Sequence, residues 1–337
     1  MAVDIREKIR SAAAKRHAKL VLPEGAEPRV IQAAATLISH EIACVVLLGD
    51  PAEILAVARK NHVDLSDVEL LHPAKSPDLA EYAEEFYQLR KHKGLSSDDA
   101  HKAMADPLYY GAMMLHKGAV DGYVGGCINP TAHVVRACLH CLGTAPGIKT
   151  VSSCSVMVLP HSRYGVDGTL LFADTGVVPD PTAEQLADIA WSTAQSMRRF
   201  FNVEPFVAMI SFSTKGSAKH EIIEKVIQAT RIARERWPEL MIDGEMQVDA
   251  ALVPEVGRRK APGSPVAGKA NVLVFPDLNA ANSAYKLTER LALAGAYGPI
   301  LQGLTKPASD LSRGCSTEDI VDIAAFVILQ AEAPCKD

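Results

Sequence analysis

Lys19-Leu20-Val21-Leu22-Pro23-Glu24-Gly25-Ala26 decides the fold. The apolar run reads as a buried strand, and Glu24-Gly25-Ala26 as the turn that ends it. A helical pattern over 28–39 follows, then a strand over 42–48, a helix over 51–61, a strand over 68–72 and a helix over 77–92. Short apolar strands separated by helices of ten or more residues imply right-handed crossovers and a mainly parallel sheet. A short amphipathic helix, 5–15, precedes the first strand. Helices over 97–104 and 107–117 lead to the strand Gly122-Tyr123-Val124, which runs into Gly125-Gly126 and a helix beginning near Pro130.

The alternation pauses at Thr144-Ala145-Pro146-Gly147, and 151–159 and 168–172 read as consecutive strands with no helix between them. This is the natural domain boundary. The second half continues with helix 182–199, strand 206–212, helix 217–235, strands 240–246 and 271–275, and helix 279–293. Pro181 and the Thr182…Gln185 capping box place the start of the first of these helices. The segment 254–269, with three prolines, three glycines and four basic residues, reads as a surface excursion. The expected architecture is α/β: two α/β/α three-layer lobes with mainly parallel sheets and a cleft between them. Residues 1–145 plus 296–337 form the first lobe, and 146–295 interrupt it as the second.

At 337 residues with 48% hydrophobic content, the chain can bury two cores, and only 5% aromatics makes those cores aliphatic. Its net charge of -5 and lack of a dense Lys/Arg block argue against a nucleic-acid surface. The seven cysteines are Cys44, Cys127, Cys138, Cys141, Cys154, Cys315 and Cys335; an odd, scattered set suits a reducing compartment. The charged start, Arg6-Glu7-Lys8 and Arg10, is followed by no signal-like apolar stretch, and the longest apolar run, 291–301, is broken by Gly295, Gly298 and Pro299. The expectation is a cytoplasmic protein that meets no membrane.

Near the C-terminus, Gly298-Pro299-Ile300-Leu301-Gln302-Gly303-Leu304 and Asp310-Leu311-Ser312-Arg313-Gly314-Cys315-Ser316-Thr317-Glu318-Asp319 read as a loop entering a helix. Ile320, Ile323, Ala324, Val327 and Ile328 repeat at helical spacing, which makes Ser316 the N-cap and Asp319 the third helical residue. A helix N-terminus is an anion site. Arg313 then reads as an anion clamp, Ser312 as a hydrogen-bond donor and Asp319 as a general base. A plain capping box beside a solvated arginine accounts for the same residues, and the two readings are compatible.

Other candidates are weaker. Arg90 closes a helix and favours its negative end in any case. Arg136 lies on the helix that follows Gly125-Gly126, a strand–glycine–helix turn suited to phosphate or to nothing more than tight geometry. Cys138-Leu139-His140-Cys141 has metal-ligand spacing but falls inside an amphipathic helix with no second pair, so a metal is not expected. Cys315 could be an acyl-accepting nucleophile, although no histidine lies near it in sequence. The strand-to-loop segments 172–176 and 211–217 suit a cleft wall as well as ordinary turns.

Together, Leu89–Gly94, Asp106-Pro107, Thr144–Gly147, Phe172-Ala173-Asp174, Pro181–Asp188, Ser211-Phe212-Ser213, Asp243-Gly244-Glu245 and the run from Gly298 to Asp319 resemble the phosphotransacetylase (phosphate acetyltransferase) family. The likeness spans about 20–330 and is to the short, catalytic-only form, including the ethanolamine-utilisation type. It implies the reaction acetyl phosphate + CoA ⇌ acetyl-CoA + phosphate, with coenzyme A as co-substrate and neither bound cofactor nor metal. By motif, Arg313 and Arg136 hold the phosphoryl end and Arg90 assists. Ser312 orients the substrates, Asp319 accepts the thiol proton, and Gly303 belongs to the substrate-binding set. A homodimer, cytoplasmic or packaged in a bacterial microcompartment, is also implied.

Full transfer of a proton from an ordinary thiol to an ordinary carboxylate before attack would cost roughly 6 kcal/mol, so Asp319 is either raised by burial or takes the proton as sulfur attacks. His133, Val134 and Thr175-Gly176 depart from the usual pattern and put acyl selectivity in question. Alternatives are a butyryl- or propionyl-transferring relative, a non-catalytic acyl-CoA-sensing module, and a ping-pong enzyme acylated at Cys315.

Overall fold

A computed structural model describes residues 5–160 and 162–331 of the chain. Cys335 lies outside the described residues. Two compact units emerge: one runs up to Ala145 and resumes at Leu304, and the other spans Pro146–Gly303.

The first unit contains α1 (Ile5–Ala14), β1 (Lys19–Leu22), α2 (Pro28–Ser39), β2 (Cys44–Leu48), α3 (Pro51–Lys60), β3 (Glu69–Leu71), α4 (Leu79–Arg90), α5 (Ser97–Met104), α6 (Pro107–Lys117), β4 (Gly122–Gly125) and α7 (Thr131–Leu142). The second contains β5 (Ser152–Val158), β6 (Thr169–Ala173), α8 (Ala183–Phe201), β7 (Val207–Ile210), α9 (Glu221–Arg236), β8 (Ile242–Met246), α10 (Val248–Leu252), α11 (Pro254–Lys260), β9 (Val272–Val274), α12 (Leu278–Leu291) and β10 (Gly295–Gln302). The chain then returns to the first unit with β11 (Ala308–Asp310) and α13 (Thr317–Gln330).

Local chemistry explains why several helices begin where they do. Glu27, Asp50 and Asp106 each precede a proline; their side chains accept from Arg29 N, Ala52 N and Leu108 N, and the proline at the first helical position lacks the N–H that would be left over. Both expected capping boxes form, Thr182 with Gln185 and Ser316 with Asp319.

The first sheet is wholly parallel in the order β11-β4-β1-β2-β3. On one face α4, α5, α6 and α7 bury Phe86, Met104, Tyr110, Met113 and Val134 against Val21, Val46, Leu48 and Tyr123. Cys138 and Cys141 point into this same core, which is why their spacing follows the helix. The other face is covered by α2 and α13, with α1 packed on α13. Arg6 and Arg10 of α1 hold the buried Asp322 of α13 at 2.9 and 2.7 Å.

The second sheet runs β10-β5-β6-β9-β7-β8. Its inner strands are parallel, whereas β5 pairs antiparallel with both β6 and β10. Two sequence expectations change here. Gly298–Gln302 is a strand and not a loop: Ile300, Leu301 and Gln302 pair with Cys154, Ser153 and Ser152 across a register shift at Gly298-Pro299. The chain therefore re-enters the first unit at Leu304 instead of 296. The segment 254–269 is also more than an excursion, because α11 begins it and Ala261 and Val266 are buried.

At Gly122, α13 packs closely on the first sheet. A Cβ there would lie 2.6 Å from Leu20 Cδ2 and 2.7 Å from Val327 Cγ1. Gly122→Ala is expected to destabilise the protein by roughly 1–3 kcal/mol through overpacking, read as a lower urea midpoint by circular dichroism.

Candidate functional site

The carboxyl ends of three neighbouring strands, β1, β4 and β11, lie side by side because the sheet is parallel. Open α/β sheets place ligands at that end. The loop from β1 supplies Glu24, which is buried and acts as a clamp. Its Oε2 accepts from Gly126 N at 2.8 Å and Cys127 N at 2.6 Å. Its Oε1 accepts from Ile128 N at 3.0 Å, Asn129 N at 2.9 Å and Asn129 Nδ2 at 2.8 Å. The whole turn after β4 is thus folded around one side chain.

Gly126 is required in that turn. Its φ is +107°, and a Cβ would lie 2.1 Å from Asp310 Oδ1 and 2.7 Å from Leu311 N. The loop after β11 is consequently pressed against the loop after β4, and Leu311 N donates to Gly125 O at 2.7 Å.

Arg29, in the first turn of α2, ties the same loops together. Its Nη1 donates to Arg313 O at 3.0 Å and to Cys315 O at 2.8 Å, while Nη2 donates to Cys127 O at 3.2 Å. The Glu27 carboxylate, 2.6 Å from Arg29 Nε, raises the guanidinium above its ordinary pKa. Ser312, Arg313 and Asp319 remain exposed on the loop that this scaffold holds. Gly314 N donates to Ser312 Oγ at 3.3 Å, and Asp319 Oδ2 accepts from Ser316 N at 2.8 Å, so the capping box and the proposed base share one carboxylate.

Asp310 links this loop to α7. Its Oδ2 accepts from Thr131 Oγ1 at 2.6 Å, whereas Oδ1 is buried with no hydrogen-bond partner among the described residues. Desolvation pushes its carboxyl up to about 7, against the lowering by Thr131, and Glu24 adds to the rise. α7 carries Arg136 just over a turn beyond Thr131. Arg136 and Arg90 both reach Tyr109 and His140 electrostatically: burial lowers the His140 pKa most, and the two guanidiniums lower it further. None of the Arg90, Arg136 or Arg313 guanidiniums has a hydrogen-bond or ion-pair partner among the described residues. Unpaired arginines of fixed charge suit a phosphoryl anion.

Gly303 belongs to the second unit, at φ +86°, where a Cβ would lie 2.4 Å from Thr150 O. In that unit the two strand-to-loop segments are held by internal hydrogen bonds. Asp174 accepts from Ser153 N and Oγ and from the N–H groups of Gly176, Val177 and Val178, and Ser213 Oγ donates to Glu245 Oε1 at 3.0 Å. Glu24, Arg29, Thr131 and Asp310 carry no mark in the sequence beyond their positions after strands or at helix starts. Among the described residues no cluster of three or more His, Cys, Asp or Glu is placed to hold a metal.

Residues 4–328 match the family model described as phosphate acetyl/butaryl transferase. The chain is 53% identical over 313 residues to the phosphate acetyltransferase of Acetivibrio thermocellus, covering 93% of this chain and 94% of that one. Its fold matches a phosphotransacetylase from Streptococcus pyogenes with a TM-score of 0.91 at 40% identity, over 98% of this chain and 99% of that one. It matches the EutD phosphotransacetylase from Staphylococcus aureus with a TM-score of 0.89 at 37% identity, over 98% of each chain.

The raised Asp310 yields a pH test. The folded protein retains a proton that the unfolded chain has already released, so the contribution of Asp310 to stability is full in acid and is lost as pH rises through about 7. Asp310→Asn removes that loss. Its stability relative to wild type is expected to rise between about pH 4 and about pH 8, by up to about 4 kcal/mol, in urea titrations at each pH.

Proposed function

This chain belongs to the phosphate acetyl/butaryl transferase family, and we infer that it moves an acetyl group between phosphate and coenzyme A. The reaction is acetyl phosphate + CoA ⇌ acetyl-CoA + phosphate, and the enzyme is an acyltransferase. The observation that supports the site assignment is the set of three guanidiniums, Arg90, Arg136 and Arg313, that have no hydrogen-bond or ion-pair partner among the described residues.

In the proposed mechanism Arg313 and Arg136 bind the phosphoryl group of acetyl phosphate, with Arg90 adding charge. The CoA thiol attacks the acetyl carbonyl directly in a ternary complex, and Asp319 takes the thiol proton as the carbon–sulfur bond forms. The carbon–oxygen bond to phosphate then breaks, and the arginines stabilise the charge gathering on the leaving phosphate. Ser312 orients the substrates from the same loop. Gly303 is a further residue of the proposed substrate-binding set. Acetate metabolism is the setting, and the cytoplasm or the interior of a bacterial microcompartment is its place. No helix among the described residues is long and apolar enough to cross a membrane. The exposed Leu287, Leu291 and Leu293 around the end of α12 support a homodimer.

Asp319→Asn is expected to lower kcat by about 10²–10⁴-fold with the KM for CoA nearly unchanged, followed by thioester absorbance. Wild-type turnover in that variant would remove Asp319 from the mechanism. Arg313→Gln should raise the KM for acetyl phosphate and lower kcat/KM by at least about a hundredfold. Acetyl phosphate is expected to outperform propionyl and butyryl phosphates assayed side by side, and the reverse order would assign a longer acyl group.

A further inference from the structure

Cys127 and Cys315 lie 188 positions apart in the sequence, yet their Sγ atoms are 3.6 Å apart. Both are buried, at 1% and 7% exposure, and both are free thiols. Neither takes part in the acyl-transfer mechanism above. Each sits in one of the loops pinned by Arg29, whose Nη1 and Nη2 hold the Cys315 and Cys127 carbonyls, and whose Nη1 also lies 4.0 Å from Cys315 Sγ. A thiol pair at this spacing is short of a disulfide bond by about 1.5 Å, a gap that small side-chain and loop movements close.

We propose that Cys127 and Cys315 form a thiol-oxidation site that closes to a disulfide when the protein meets a hydroperoxide, and that closure suspends acyl transfer until a dithiol reopens it. The two sulfurs have different roles. The hydrogen bond from Cys127 holds Cys315 below the ordinary thiol pKa, and the Arg29 charge assists against desolvation. That same hydrogen bond, with burial, pushes Cys127 up. Cys315, the more acidic thiol, therefore attacks the peroxide as thiolate. The peroxide O–O bond breaks, leaving a sulfenic acid on Cys315 and an alcohol or water. Cys127 then attacks the sulfenic sulfur as its own proton leaves, the S–S bond forms, and water departs. In sum, two thiols and one hydroperoxide give one disulfide, one alcohol or water, and one further water.

The other described cysteines are less suited. Burial pushes Cys138 and Cys141 up, and raises Cys154 to about 12; Cys44 is exposed with no thiol beside it. Closure at Cys315 acts on function because this residue is two positions from Arg313 and three from Ser312, so drawing it toward the turn after β4 moves both. The activity arm rests on the transfer reaction proposed above; the covalent arm does not.

The test uses the full chain, purified reduced, then exposed to hydrogen peroxide, alkylated and digested without reductant. A peptide pair joined through Cys127 and Cys315, with an intact mass lower by two hydrogens, is the expected result. Thioester formation should fall by about a hundredfold, the scale of a displacement of about 1 Å at reacting groups, and return with dithiothreitol. Cys127→Ala and Cys315→Ala should each abolish the linkage and the dithiol-reversible loss, whereas Cys44→Ser should preserve both. Intact thiols at Cys127 and Cys315 in peroxide-treated wild type, or closure of another pair in their place, would overturn the site. A formed disulfide with unchanged transfer would overturn the switch.

Discussion

One buried carboxylate organises the first unit. Glu24 sits at the end of β1 and accepts five hydrogen bonds from the turn that follows β4. A turn of successive N–H groups pointing inward cannot be left buried without acceptors, since each orphaned donor costs about 1–3 kcal/mol. Glu24 satisfies them all at once and so fixes the path from β4 to α7. That path sets the approach of the β11 loop through Gly126, and the carbonyl of Cys127 in turn helps position Arg29.

The same arrangement separates charges in a way that suits anion chemistry. The acids near the strand ends are committed elsewhere: Glu24 to backbone donors, Asp319 to its cap, and Asp310 to Thr131 with its charge suppressed up to about neutral pH. Among the described residues, Arg90, Arg136 and Arg313 have no carboxylate partner. In the proposed mechanism, binding of a phosphoryl group by them breaks no protein ion pair, which would otherwise offset part of the binding energy.

What was legible in the sequence was local. Strand and helix alternation and the Thr182…Gln185 and Ser316…Asp319 caps depend on residues a few positions apart. The resemblance proposed Arg90, Arg136, Ser312, Arg313 and Asp319 as site residues by motif. What stayed hidden depends on distant pairing. Gly298-Pro299 looks like loop punctuation because the strand it interrupts is defined by β5, about 145 residues earlier in the chain. Glu24 looks like a turn residue because its partners lie more than one hundred positions away. Cys127 and Cys315 are separated more widely still, and sequence spacing gave no reason to place them together.

Glu24→Gln removes the charge that holds the turn after β4 and leaves the side chain's length unchanged. Glutamine keeps the length and one acceptor oxygen but turns an NH₂ donor toward N–H groups that need an acceptor. The measurement is steady-state transfer from acetyl phosphate to CoA, alongside far-ultraviolet circular dichroism of the same sample. With native secondary structure retained, kcat/KM is predicted to fall by at least about a hundredfold, as expected for binding groups displaced by about 1 Å. Wild-type kcat/KM in this variant would contradict the account, because the turn after β4 would then hold its place without the carboxylate.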